Sequence, residues 1–88
     1  GSGDGGIDLE LRQRDKKIIV QCKAHKNPVA PAIARDLLGA MVASRADEAI
    51  LISLSGFTSG VDKFARENQI KLMDLNDIIH LSQTTSTK

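Results

Sequence analysis

The chain has 88 residues, of which 41% are hydrophobic and 26% charged, and its formal net charge is +1. That length allows one domain with a thin core, because so short a chain buries only roughly 60–65% of the surface it exposes when unfolded. The near-neutral balance excludes recognition of a polyanion by bulk charge, no run of about 18 apolar residues suggests a membrane span, and a single cysteine excludes an internal disulfide.

Residues 1–6, "GSGDGG", read as a glycine-rich turn or loop. Gly1-Ser2 has the look of an expression-tag remnant, so the natural chain is expected to begin further upstream. Ile7-Asp8-Leu9-Glu10-Leu11 then alternates apolar and acidic residues with period two, which predicts a strand with Ile7, Leu9 and Leu11 on its buried side. The charged stretch "RQRDKK" makes a polar tip, and "IIVQCK" returns as the second strand of an antiparallel hairpin. Pro28 and Pro31 end that pattern. From about Pro31, the set Ile33, Leu37, Leu38, Met41 and Val42 recurs at helical spacing, with proline in its tolerated first-turn position. Gly39 inside this helix costs about 1 kcal/mol relative to alanine, and close packing against a strand is the expected compensation.

Ala49 to Leu54 is a nearly continuous apolar run, which predicts a central strand covered on both faces. "SGFTSG" supplies a loop with Thr58 or Ser59 as a helix cap, and Val61, Phe64 and Ala65 form the inner stripe of a short helix ending near Asn68. A fourth strand over 70–73 leads to Asp74, a cap for a helix over 75–81. The domain is therefore expected over 3–81, with 82–88 as a flexible tail. Strands alternating with helices after a hairpin predict an α/β fold: a mixed sheet, antiparallel at the hairpin and parallel at the crossovers, flanked by helices. The lone thiol of Cys22 fits a reducing, cytoplasmic setting, and no charged-then-apolar leader is seen.

Chemistry concentrates at the end of the second strand. Gln21 and Lys23 are two residues apart and leave it on one face, while Val20 and Cys22 point the other way. Antiparallel pairing brings Asp8 beside them. A hard cation such as Mg²⁺ takes oxygen ligands, so the Asp8 carboxylate, the Gln21 amide oxygen and the Cys22 backbone carbonyl make a sufficient protein share. Lys23 beside such an ion suits orienting a water or offsetting charge on a phosphate. Polar residues at a strand end explain the same pattern. Arg12, Arg14, Lys16, Lys17, Lys23, His25 and Lys26 crowd the first third of the chain, and His25 and Lys26 are either contacts to a phosphate backbone or solvated loop residues. Ser53, Ser55 and Thr58 at the exit of the central strand suit either phosphate binding or helix capping. Asp4 reads as a turn residue, Glu10 as part of the hairpin face, Cys22 as a small apolar core side chain, and His80 as surface. Phe57 and Phe64 are the only aromatics, too few for base stacking.

Three blocks, "GDGGIDLEL", "IIVQCKAHKNPVAPAIARDLLGAM" and "AILISLSGFTSGVDKFARENQIKLMDLNDI", resemble in that order the catalytic domain of the Mrr-like restriction endonucleases, a Q-x-K branch of the PD-(D/E)XK nuclease superfamily. The resemblance runs from about Gly3 to Leu81. It implies DNA as substrate and phosphodiester hydrolysis with Mg²⁺, or Mn²⁺ as a substitute. It assigns metal binding to Asp8 and Gln21 and the catalytic lysine to Lys23. Such domains usually carry a helix upstream of the G-D-G-G turn, so a second copy or an upstream domain is expected to cover the sheet face left open here. The rival expectations are a catalytically silent module of the same fold that binds DNA or a protein, and an unrelated small ligand-binding α/β domain with a pocket away from the hairpin.

Overall fold

In the computed structural model, residues 8–86 are described; the glycine-rich leader with Asp4, the expected strand position Ile7, and the last two tail residues lie outside them. The first two apolar-alternating segments pair as a hairpin, β1 (Leu9–Gln13) and β2 (Lys16–Lys23), with Leu9 opposite Val20 and Gln13 opposite Lys16. The polar tip is tighter than expected. Only Arg14 and Asp15 lie between the strands, and Arg14 takes a left-handed φ of 61° to close the turn. The chain continues through α1 (Pro31–Ser44), β3 (Glu48–Ser53), α2 (Val61–Glu67), β4 (Ile70–Asp74) and α3 (Leu75–Ser86). The strand order is β1-β2-β3-β4, antiparallel between β1 and β2 and parallel thereafter.

Both crossovers advance the sheet in one direction, so their right-handedness places α1 and α2 on one face. Register assigns that face to the odd-numbered residues of β2 and β3, with Ile19 beside Ala49 and Gln21 beside Leu51. Ile19, Leu51, Leu37, Met41, Val61, Ala65 and Ile70 fill the space between sheet and helices. Asp47 joins the start of β3 to β2, its carboxylate accepting the Lys17 N–H at 2.8 Å and its own N–H donating to the Lys17 carbonyl.

Several expectations are corrected. The face of β1 carrying Leu9 and Leu11 is not buried: they are 52% and 39% exposed. β1 is an edge strand, and these residues point to the side of the sheet away from α1 and α2. The same geometry leaves Cys22 exposed rather than in the core, and Ile50 and Ile52 of β3 only half-buried. β3 is thus central but fully covered on one face only. In α1 the buried stripe is Ala34, Leu37 and Met41, and Val42 is 72% exposed. Gly39 does not pack on a strand; a Cβ added there meets nothing within 4 Å. Neither Thr58 nor Ser59 caps α2. Gly60 stands at the N-cap with φ 92°, no side chain bonds to the helix start, and the Thr58 N–H is committed to the Val29 carbonyl at 2.9 Å. Asp74 does cap α3, because its Oδ1 accepts the Asp77 N–H while Asp77 Oδ2 accepts the Asp74 N–H, both at 2.9 Å. That helix runs to Ser86, beyond the end read from apolar spacing.

Candidate active site

The Asp8 N–H donates to the Val20 carbonyl at 2.9 Å, one step out of the Leu9–Val20 register, so the chain bulges there and Asp8 sits against the Val20–Cys22 end of β2. Gln21 and Lys23 lie on the helix-covered side of the sheet, and the Asp8 carboxylate reaches the backbone between them. The Asp8 Oδ2 accepts the Cys22 N–H at 2.7 Å. Since the N–H and C=O of one strand residue point the same way, the Cys22 carbonyl is directed toward the Asp8 side as well.

Gln21 is the anomaly. It is 5% exposed, beside Leu51 in register, and its Oε1 is buried with no hydrogen-bond partner. A buried acceptor without a partner costs about 1–3 kcal/mol. A leucine at this position would avoid that cost. Lys23, half-buried, ends β2; its carbonyl accepts the Leu54 N–H at 3.2 Å, and it stands next to Ser53 in register.

Among the described residues, no three His, Cys, Asp or Glu side chains gather to hold a metal. The available donors are mixed: one carboxylate, one amide oxygen and one backbone carbonyl. All are hard oxygens, the type that Mg²⁺ or Mn²⁺ prefers, and an ion that keeps several of its waters needs no larger protein share. The orphaned Gln21 oxygen fits that group.

Around this core, the loop after β2 and the loop after β3 are fastened together. The Ser55 Oγ donates to the His25 carbonyl, the Val29 N–H to the Gly56 carbonyl at 2.9 Å, and Val29 bridges Phe57. His25, Lys26 and Thr58 are exposed there, while Ser55 is half-buried with its hydroxyl committed. Ser53 is 1% exposed; its Oγ donates to the Gly56 carbonyl at 2.7 Å and accepts the Ser55 N–H at 3.2 Å. The short S-x-S-G pattern is the sequence signal for this turn.

The basic cluster of the first third divides. Lys23, His25 and Lys26 stand at the site, whereas Arg12, Arg14, Lys16 and Lys17 lie toward the other end of β2, whose eight residues span roughly 23 Å. At that far end Lys17 Nζ pairs with Glu10 at 3.1 Å and donates to the Ser44 carbonyl at 2.7 Å, which makes Glu10 a hairpin-face residue. Lys16 pairs with Glu48 at 3.0 Å, and that hydrogen bond raises its pKa above the ordinary 10.5.

The sequence matches the Mrr_cat restriction endonuclease family over residues 1–82. Among solved structures, the fold is similar to that of the DNA modification-dependent restriction endonuclease AspBHI, with a TM-score of 0.70 at 14% identity, over 90% of this chain and 22% of that one. The chain therefore spans about a fifth of that protein's length, and the likeness speaks for the fold alone. No curated protein matches the sequence.

Proposed function

This chain belongs to the Mrr_cat restriction endonuclease family, and we propose that it hydrolyses DNA phosphodiester bonds at the open end of the β1–β2 hairpin. The observation that carries this reading is the buried, unpartnered Gln21 oxygen next in sequence to Cys22, whose N–H the Asp8 carboxylate accepts. Asp8, Gln21 and the Cys22 carbonyl would hold a divalent cation, Mg²⁺ with Mn²⁺ as a substitute. When bound, such an ion acidifies water and polarises a phosphoryl oxygen.

The protein's own groups do the rest. Asp8 stays oriented through its bond from the Cys22 N–H. Lys23 Nζ orients the attacking water and offsets the negative charge that grows on the phosphate, a role suited to a compact ammonium. His25 and Lys26 engage the DNA backbone, with Thr58 in the facing loop, and such contacts position the duplex without reading its sequence. Selection of a base or its modification then falls to parts of a longer protein, consistent with a site that offers no aromatic for stacking. We place the protein in the cytoplasm, in keeping with its exposed free thiol. No helix among the described residues is long and apolar enough to cross a membrane. A second copy or an upstream domain covers the open sheet face around Leu9 and Leu11.

The test is plasmid nicking in Mg²⁺ or Mn²⁺ by the native chain, Asp8→Ala and Lys23→Ala. Both variants are expected to lose at least about 100-fold in rate, the scale of removing one preorganised charge-stabilising group. Equal nicking by all three discards the assignment.

A further inference from the structure

We infer that Ser55 is a positioning residue that fixes the His25–Lys26 loop for engaging the DNA backbone, an inference that rests on the nuclease reading above. The two loops at the carboxyl ends of β2 and β3 are held by a short series of bonds, and Ser55 stands in the middle of it. Its N–H is received by the buried Ser53 hydroxyl, and its own hydroxyl donates to the His25 carbonyl. On one side of that contact the Leu54 N–H binds the Lys23 carbonyl; on the other the Val29 N–H binds the Gly56 carbonyl. The segment from Lys23 to Val29 is bonded to the facing loop at Lys23, at His25 and at Val29, whose carbonyl also accepts the Thr58 N–H.

The chemistry of the contact argues against direct phosphate recognition by Ser55. Its hydroxyl proton is spent on a backbone carbonyl, so what it offers a ligand is an orientation of the neighbouring residues. His25 and Lys26 are exposed, follow the candidate catalytic lysine directly, and have no secondary structure of their own to fix them. Without the Ser55 bond, the loop carrying them must be ordered when DNA binds, and that cost appears in affinity rather than in the chemical step.

The experiment compares the native chain with Ser55→Ala and Ser55→Thr. Binding of a fluorescently labelled duplex is followed by anisotropy in Ca²⁺ across a salt series, nicking is followed in Mg²⁺, and backbone amide exchange is followed without DNA. Ser55→Ala is expected to weaken duplex binding and raise KM by about two- to tenfold, the worth of one net hydrogen bond, with kcat held. Exchange at Leu54 and Val29 should quicken, and Ser55→Thr should restore all three readouts. Unchanged exchange in Ser55→Ala overturns the inference whether or not DNA is bound. So does unchanged affinity in a chain that binds and nicks, or a fall in kcat at constant KM. Native chain that neither binds nor nicks DNA while Ser55→Ala speeds exchange sinks the nuclease reading instead, leaving the loop clamp standing and its DNA role refuted.

Discussion

At the scale of single residues, the proposed ligand role of Gln21 is set against its cost to stability. Its oxygen is buried and unpartnered, so the chain without a cation carries a cost that an apolar side chain of similar shape would remove. Gln21→Leu is expected to raise metal-free stability by about 1 kcal/mol in urea unfolding while abolishing nicking. Mg²⁺ should raise the native chain's unfolding midpoint and leave that of the variant unmoved, since only a ligand of the folded state adds stability. Lys16 behaves in the ordinary way. Its amine titrates above its usual 10.5 because Glu48 accepts a hydrogen bond from it. A raised pKa of this kind means stabilisation that is present below the unfolded value and lost as pH climbs through the folded one. Lys16→Met should therefore lower stability slightly at neutral pH and leave it unchanged once pH has risen past the raised pKa, where the native amine is neutral too.

At the scale of elements, α1 shows how a local propensity was spent without compensation. Gly39 lies on its exposed side with open space where a side chain would go. Gly39→Ala is expected to stabilise the protein by about 1 kcal/mol, measured as a shift in thermal midpoint with nicking unchanged. The opposite holds at the start of α3. Asp74 satisfies the amide of Asp77, and Asp74→Ala should cost about 1 kcal/mol. This cap was legible because an acidic residue between an apolar strand and an apolar-spaced helix has few other uses. The cap of α2 was not, because in S-G-F-T-S-G several residues are equally good candidates, and the pairing of Val29 with Phe57 decides which backbone groups are already committed.

For the molecule as a whole, the two faces of the sheet are unequal. One is sealed by α1 and α2; on the other Ile18 and Val20 are buried, whereas Leu9, Leu11, Ile50, Ile52 and Cys22 are exposed in various degrees. Such a surface marks an interface more often than a free boundary. Sedimentation of the native chain should show concentration-dependent association, and Leu9→Thr should weaken it while costing under about 1 kcal/mol of folding stability, since that leucine is half-exposed already. A strict monomer at high concentration would remove the self-association reading.

The alternation in residues 7–11, the helical spacing after Pro31 and the strand-length run at 49–54 determined the order and type of the elements, because periodicity is a local property of the chain. They also placed Gln21 and Lys23 on one face, since successive strand residues alternate whatever surrounds them. Only the tertiary structure decided which face is covered. A period-two pattern says that two sides differ, and it contains nothing about where the crossover helices pack, so Cys22 and the β1 leucines lie in the open while a glutamine is enclosed. The partnerless state of the Gln21 oxygen is likewise a fact of three dimensions, since it depends on which groups, distant along the chain, fail to reach it.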